Sequence, residues 1–229
     1  MISLTLQRAI ALVLALAAAA PACKRQAPLR ETSVAGTPSL PSVQATRPRV
    51  VALGDSLTAG LGIHPDEAFP AVLQKRLDDA GMSYDVVNAG VSGDTSAGAL
   101  RRLDWALDGD VRILIVALGG NDALRGLPVD DLRSNLSAII ERAQARKIQV
   151  LLAGMEAPPN YGPSYAQSFH GVFPDVARQH KVAFLPFLLQ GVAGIARLNQ
   201  PDGIHPTVEG AQIVADNVWA VLRPMVKRS

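Results

Sequence analysis

Two short segments of the chain contain the residue types that nucleophilic catalysis needs. Gly54-Asp55-Ser56-Leu57 places a serine beside a glycine, and Asp202-Gly203-Ile204-His205-Pro206 supplies an acid and a base three residues apart. A serine hydroxyl is too weakly acidic to attack a carbonyl unaided, so an imidazole must accept its proton and a carboxylate must fix the imidazole tautomer. We therefore predict acyl transfer with Ser56 as nucleophile, His205 as base and Asp202 orienting the base.

Two further segments offer hydrogen-bond donors for the negative charge that develops on oxygen during acyl transfer. The first, residues 88–95, contains Gly90, whose missing Cβ lets a backbone N–H approach a ligand closely. The second, residues 119–122, contains Asn121 with its side-chain NH₂. Because preorganised amides stabilise such a charge better than water does, we expect an oxyanion hole formed by Ser56, Gly90 and Asn121. For Gly90, a simple turn glycine is the alternative.

Composition argues against several other classes of function. The formal net charge of +2 is nearly balanced and no basic stripe is interleaved with aromatic residues, so we expect no nucleic-acid partner. The single cysteine, Cys23, excludes an internal disulfide, and no Cys/His cluster has the spacing of a zinc site. A phosphate-binding loop after Gly54 is disfavoured because no Gly-Lys-Ser/Thr sequence follows. The proposed chemistry requires neither a metal nor a cofactor.

Alternating apolar segments predict the elements that must position these residues. Short buried strands are predicted over 49–53, 84–89, 112–118, 149–154 and 182–185. Helical periodicity is predicted over 66–80, 95–107, 164–180 and 207–225, with one further helix around Leu132 to Ala143. This order indicates a three-layer α/β/α domain with a parallel sheet over residues 49–229. The four chemical segments lie where strands end, which is where ligands bind in open α/β sheets.

The amino-terminal part of the chain has the pattern of an exported protein. Residues 1–22 combine an early Arg8, an apolar run too short to span a bilayer and small residues before Cys23, which predicts a signal peptide. Residues 23–48 are rich in Pro, Ser and Thr and lack apolar periodicity, which predicts a disordered linker. Two interpretations of Cys23 stay open: lipidation that attaches the protein to a membrane, or plain secretion after ordinary cleavage. We expect a periplasmic location in either case.

The motifs together resemble those of the SGNH (GDSL) hydrolases, whose four blocks supply Ser, Gly, Asn and His in this order. The matching blocks contain Ser56, Gly90, Asn121 and His205, and the similarity spans residues 49–226. Other stretches, including residues 91–96, look like the bacterial thioesterase, lysophospholipase and arylesterase subgroup. The resemblance implies a flavodoxin-like sheet of five parallel strands and hydrolysis of esters, thioesters or lysophospholipids.

The resemblance also implies acyl-chain contacts from the loops after Asp122 and Met155. Apolar residues near the predicted site either line an acyl groove or pack beneath it: Leu124, Leu127, Met155, Tyr161 and Ile204. Within the enzyme class the alternative is a carbohydrate acetylesterase acting on surface glycans. The alternative from another class is a non-catalytic lipoprotein that uses the same scaffold for binding, although every group that the chemistry requires is present.

Overall fold

A computed structural model describes residues 47–227, which form one α/β unit. The predicted signal peptide and Cys23 lie outside the described residues, as does most of the predicted linker. Within the described part, five strands form a single parallel sheet in the order β2-β1-β3-β4-β5. The strands are β1 (Arg49–Gly54), β2 (Asp85–Gly90), β3 (Val111–Ala117), β4 (Gln149–Ala153) and β5 (Ala183–Leu185). The predicted five-stranded parallel sheet is thereby confirmed, and its strand order is that of flavodoxin-like folds.

The helices follow the strands as the alternating pattern predicted. Their bounds are α1 (Ser56–Ala59), α2 (Phe69–Asp79), α3 (Ser96–Arg101), α4 (Leu103–Ala106), α5 (Gly120–Leu124), α6 (Val129–Ala145), α7 (Gly162–His180) and α8 (Val208–Leu222). One layer is formed by α6, which contacts α3 on one side and α7 on the other. The other layer is formed by α2 and α8, which pack together. The predicted three-layer α/β/α arrangement is confirmed.

The core is centred on the middle strands because their residues are buried on both faces of the sheet. Val50 to Leu53 of β1 and Ile113 to Val116 of β3 are at most 1% exposed. Such continuous apolar runs are typical of parallel strands covered by helices on both sides. Fixing these two strands rigidly also fixes the loops at their carboxyl ends, which carry Ser56 and Asn121.

Two predicted helices are divided, and each division has a local cause. The helix predicted over 66–80 begins only at Phe69, because Ala68 is extended (ψ 148°) and Pro70 fits only in a first helical turn. The helix predicted over 95–107 is interrupted at Arg102 (φ −100°, ψ 8°). There the guanidinium turns inward to pair with Asp94 at 2.7 Å. The last helix begins as predicted, with the Thr207 hydroxyl accepting from the Gly210 N–H.

Among residues 47–227, the structure contains no helix that combines the length and apolar character needed to cross a membrane.

Candidate active site

Ser56 lies at the carboxyl end of the buried strand β1, where a very short helix begins. Asp55 caps this helix, with Oδ1 accepting from the Leu57 N–H at 3.0 Å. Ser56 is the first residue of α1, and the chain leaves the helix through Gly60 in a left-handed conformation (φ 78°). The first N–H groups of a helix have no partner within the helix, so the turn presents the hydroxyl and backbone donors together.

Ser56, His205 and Asp202 form one continuous line of hydrogen bonds. His205 Nε2 lies 2.8 Å from Ser56 Oγ, and His205 Nδ1 lies 2.6 Å from Asp202 Oδ2. The His205 side chain is only 15% exposed, so it is held in place, whereas that of Asp202 is 45% exposed. With the Nδ1 proton donated to the carboxylate, Nε2 is left to accept from the serine hydroxyl.

Asp202 is held by the turn in which it lies. Its Oδ1 accepts from the backbone N–H groups of Ile204 (2.9 Å) and His205 (3.0 Å), while Oδ2 faces the imidazole. The His205 backbone N–H, the His205 side chain and the Ile204 N–H together lower the Asp202 pKa to about 2. The carboxylate is therefore ionised throughout the neutral range and can stabilise a positive imidazolium.

Asn121 lies in α5, the short helix that follows β3, and lines the same groove as Ser56. Its Nδ2 donates to Asp55 Oδ2 at 3.2 Å, which leaves its second N–H available. Asp55 itself is only 3% exposed. Burial raises the Asp55 pKa to about 6, against the opposing hydrogen bonds from Leu57 and Asn121. Sequence reasoning missed Asp55 because a carboxylate beside a nucleophile gives no sign of its own burial.

The structure gives the Gly90 amide a different partner from the one predicted. The Gly90 N–H donates to Asn88 Oδ1 at 3.0 Å, and Asn88 Nδ2 donates to the Thr58 carbonyl at 2.9 Å. A Cβ at Gly90 would lie 2.3 Å from the Ala59 nitrogen. Gly90 is thus a glycine because β2 packs directly against the α1 backbone, and its N–H is not free as the prediction required.

Gly93, three residues further along the same loop, has the features expected of a backbone donor. Its φ is 81°, and its N–H has no hydrogen-bond partner among residues 47–227, while its carbonyl accepts from Arg125 Nη2 at 2.7 Å. Because β1 lies between β2 and β3, a loop after β2 that contacts Arg125 must pass over the end of β1, where Ser56 lies. The stretch Ser92-Gly93-Asp94-Thr95 was visible in the sequence, but Gly93 was not singled out.

A second pair of contacts joins the same two loops below the surface. Asp122, only 2% exposed, accepts from the Ser96 N–H at 2.9 Å and from Ser96 Oγ at 2.6 Å. Asn135 Nδ2 in turn donates to Ser96 Oγ at 3.0 Å. The segment after β2 is therefore fastened to the segment after β3 at two points: Gly93 contacts Arg125, and Ser96 at the start of α3 contacts Asp122 in α5.

A groove of about 430 Å³ opens beside Ser56 and His205. Its walls combine polar residues of the site with apolar side chains: Leu57, Leu124, Met155, Ala157, Pro158, Pro159, Phe187, Leu189, Ala193 and Ile204. Such a mostly apolar concavity with a few convergent polar groups is typical of a small-molecule site.

Three of the five predicted groove residues line it, and two do not. Leu124, Met155 and Ile204 are on its walls. Leu127 and Tyr161 are not, and this corrects their predicted placement. The Tyr161 hydroxyl donates to the Leu124 carbonyl at 3.1 Å, and Leu127 supplies its carbonyl to Tyr165, so both residues brace the loop from outside the groove.

Comparison with known proteins identifies the family. The GDSL-like Lipase/Acylhydrolase family matches residues 52–213, which contain every chemical segment described above. The chain belongs to this family. Accordingly, this GDSL-like acylhydrolase is a serine ester hydrolase, as the resemblance predicted.

Individual relatives of this GDSL-like acylhydrolase cover nearly the whole domain. Esterase TesA of Pseudomonas aeruginosa is 44% identical over 184 residues, covering 80% of this chain and 92% of the relative. Thioesterase 1/protease 1/lysophospholipase L1 of Escherichia coli K12 is 36% identical over 175 residues, covering 76% of this chain and 83% of the relative. A solved crystal structure of TesA superposes with a TM-score of 0.75 at 44% identity, covering 78% of this chain and 99% of that one.

Proposed function

We propose that this acylhydrolase cleaves short- to medium-chain carboxylic esters and thioesters through an acyl-enzyme on Ser56. The observation that carries the proposal is the unbroken hydrogen-bonded line from Ser56 Oγ through His205 to Asp202, with distances of 2.8 and 2.6 Å. This line lies at the wall of an apolar groove. A serine activated in this way next to an apolar groove is suited to acyl transfer.

In the first step, Ser56 Oγ attacks the carbonyl carbon while its proton passes to His205 Nε2. The tetrahedral intermediate collapses as the carbon–oxygen or carbon–sulfur bond breaks, and His205 returns the proton to the leaving alkoxide or thiolate. Water then attacks the acyl-enzyme with its proton taken by His205, and Ser56 regains a proton when the acid leaves. Asp202 keeps the proton on Nδ1 and stabilises the imidazolium formed in each step.

The oxyanion donors in this scheme are the Ser56 N–H, one N–H of Asn121 Nδ2 and the Gly93 N–H. Gly93 takes the place that the sequence assigned to Gly90, because the Gly90 N–H already donates to Asn88. Gly93 is supported by its unpartnered N–H among the described residues and by its carbonyl contact with Arg125. A donor that is already oriented towards the reacting carbonyl and has no other acceptor does not have to break a hydrogen bond or reorganise when the transition state forms.

The groove favours an acyl or alkyl chain over a sugar as the group next to the reacting carbonyl. Ten of the residues that line it present apolar side chains, and its acidic lining residues are Asp55 and Glu156. The relatives named as an esterase and as a thioesterase and lysophospholipase support the same substrate classes. We accordingly propose aryl and alkyl esters, acyl thioesters and lysophospholipids, with acetylated glycans as the competing class.

Turnover of a series of p-nitrophenyl esters from acetyl to dodecanoyl, compared with release of acetate from acetylated sugars, tests this proposal. We expect kcat/KM to rise with chain length over the first several carbons and to be low on acetylated sugars. The reverse order would favour a carbohydrate acetylesterase. Acyl-CoA and lysophosphatidylcholine, assayed in parallel, separate thioesterase from lysophospholipase activity.

The role of Ser56 is tested with Ser56→Ala and a fluorophosphonate probe, which reacts covalently only with an activated serine. The unmodified enzyme should be labelled at Ser56, and Ser56→Ala should be neither labelled nor active. Unchanged ester turnover by Ser56→Ala would overturn the proposed mechanism. An unlabelled parent enzyme would instead favour a non-catalytic binding module.

We also propose export to the periplasm through the signal peptide of residues 1–22, with Cys23 acylated as a membrane anchor. This proposal is supported by the sequence pattern alone. Mass spectrometry of the mature amino terminus, with Cys23→Ser as control, distinguishes a diacylated or triacylated Cys23 from a plain amine. An unmodified amino terminus after cleavage would support simple secretion.

A further inference from the structure

We infer that Asp122 is a positioning residue for the oxyanion hole, because it holds the loop that carries Asn121 against the loop that carries Gly93. This inference rests on the proposed function, since it takes Asn121 and Gly93 as the groups that stabilise the oxyanion. Asp122 touches neither Ser56 nor the groove, so its effect on the reaction is exerted through its neighbours.

The contacts of Asp122 join two segments that are separate in the sequence. Both of its oxygens are used by one residue: Oδ2 accepts from the Ser96 N–H at 2.9 Å and Oδ1 accepts from Ser96 Oγ at 2.6 Å. Asp122 directly follows Asn121 in α5, and Ser96 lies three residues after Gly93. This pair of hydrogen bonds, together with the Arg125 contact to the Gly93 carbonyl, therefore sets the distance between the two proposed donors.

The hydroxyl direction at Ser96 is also determined. Asn135 Nδ2 donates to Ser96 Oγ at 3.0 Å from α6, so the serine hydrogen is left to be donated to Asp122. Ser96 is fully buried and Asp122 is 2% exposed. A buried carboxylate is costly unless its hydrogen-bonding capacity is satisfied. Its presence here therefore indicates that the two segments must be held at a fixed distance and orientation, which two apolar side chains in place of Asp122 and Ser96 would not achieve.

A double-mutant cycle between Asp122 and Asn121 tests the inference. Asp122→Asn keeps the volume but can accept from only one of the two Ser96 donors. With Oδ1 on the Ser96 N–H, Nδ2 faces Ser96 Oγ, which already accepts from Asn135 Nδ2, so the Ser96 hydroxyl loses its acceptor. We expect kcat on p-nitrophenyl butyrate to fall about 50-fold with KM changed less than about twofold, because the defect is in transition-state stabilisation. Asn121→Ala should lower kcat by about 100-fold or more. In the Asn121→Ala background, Asp122→Asn should cost less than about fivefold, because coupled residues are not additive.

A merely structural role gives a different pattern. It would lower thermal stability while leaving kcat per folded molecule unchanged, or it would reduce kcat by the same factor in both backgrounds. Either result overturns the inference. Gln74→Ala is the matched control, because it removes hydrogen bonds to Tyr84 and Val86 near the opposite end of β2. It should lower the melting temperature without changing kcat.

If Asp122→Asn does not fold, Ser96→Ala replaces it in the cycle. This variant keeps the backbone N–H that Asp122 Oδ2 accepts and loses only the hydroxyl, so we expect a smaller decrease in kcat with the same non-additivity. The failure of this inference is distinguishable from failure of the proposed function. An inactive Ser56→Ala together with additive Asp122 and Asn121 effects would refute only the positioning role.

Discussion

Asn121 Nδ2 donates to Asp55 Oδ2 at 3.2 Å, so the proposed oxyanion donor is tied directly to the carboxyl group that precedes the proposed nucleophile. Asp55 also caps the helix that begins at Ser56. The buried Asp55 side chain thus holds both the turn that carries Ser56 and the side-chain amide of Asn121. The arrangement has a cost, because the Asp55 carboxyl is almost completely removed from water.

Asp55→Asn should change how the stability of the protein depends on pH. Burial raises the Asp55 pKa from 3.8 to about 6, so the folded state holds this proton more tightly than the unfolded state does. Stability from this group is complete below pH 4 and is lost as the pH rises through 6, by about 3 kcal/mol. Relative to Asp55→Asn, the parent should lose most of this amount, about 2 kcal/mol, between pH 4 and pH 7, as measured by urea unfolding.

Asp79→Asn is the control for the Asp55 prediction, because Asp79 is exposed at the end of α2 and its side chain has no hydrogen-bond partner among residues 47–227. Because the Asp79 carboxyl stays in contact with water in the folded protein, Asp79→Asn should not reproduce the change expected for Asp55→Asn. A difference between parent and Asp55→Asn that does not vary with pH would show that Asp55 ionises in the folded protein as readily as in the unfolded chain.

Asp202→Asn should lower kcat strongly. In the parent enzyme, by contrast, titration of Asp202 should not appear in the pH dependence of the activity. The variant removes the acceptor that fixes the imidazole tautomer, so we expect a loss of about 10²- to 10⁴-fold. In the parent, the pKa of about 2 keeps Asp202 ionised from pH 4 upwards, and its stabilising effect is lost only as the pH falls through 2. A pH profile of kcat/KM for both proteins checks this. If the kcat/KM of the parent changed with pH above pH 4 in a way that Asp202→Asn abolished, the prediction that Asp202 stays ionised in this range would be wrong.

Arg125→Met and Asn88→Ala distinguish the two glycines proposed for the oxyanion hole. Arg125 Nη2 holds the Gly93 carbonyl at 2.7 Å, so its loss should loosen the Gly93 N–H and lower kcat by about tenfold. Asn88→Ala frees the Gly90 N–H and should change kcat by less than about threefold. If Asn88→Ala alters kcat more than Arg125→Met does, Gly90 is the donor. Binding of a boronic acid, which mimics the tetrahedral species, gives an independent measurement.

Leu124→Ala and Leu127→Ala form a matched pair for the acyl groove. Both leucines lie between β3 and α6, but only Leu124 lines the groove. Leu124→Ala removes apolar contact with a bound chain and should lower kcat/KM for octanoyl esters about fivefold relative to acetyl esters, since each buried CH₂ contributes about 0.8 kcal/mol. Leu127→Ala should leave the ratio unchanged. Equal shifts in the two variants would place the acyl chain elsewhere.

The acid and the base could be predicted from the sequence because their geometry is local. Asp202 and His205 are three residues apart, and one turn brings the carboxylate to the imidazole and to two backbone N–H groups. The strands could be predicted as well, since apolar runs of this kind form buried parallel strands. The placement of Ser56 beside His205, 149 residues away, follows once both lie at the same edge of that sheet.

The sequence by itself determined the family and the sheet and is the source of the proposed reacting residues, because each is encoded in local pattern or in recognisable motifs. Only the tertiary structure decided that Asp55 and Asp122 are buried, and that Leu124 lines the groove while Leu127 does not. It also decided that the Gly90 N–H donates to Asn88, whereas the Gly93 N–H has no acceptor within residues 47–227. These properties depend on which segments pack against each other across β1 and β3. Burial and hydrogen-bond competition arise from contacts between distant residues, which spacing along one chain does not contain.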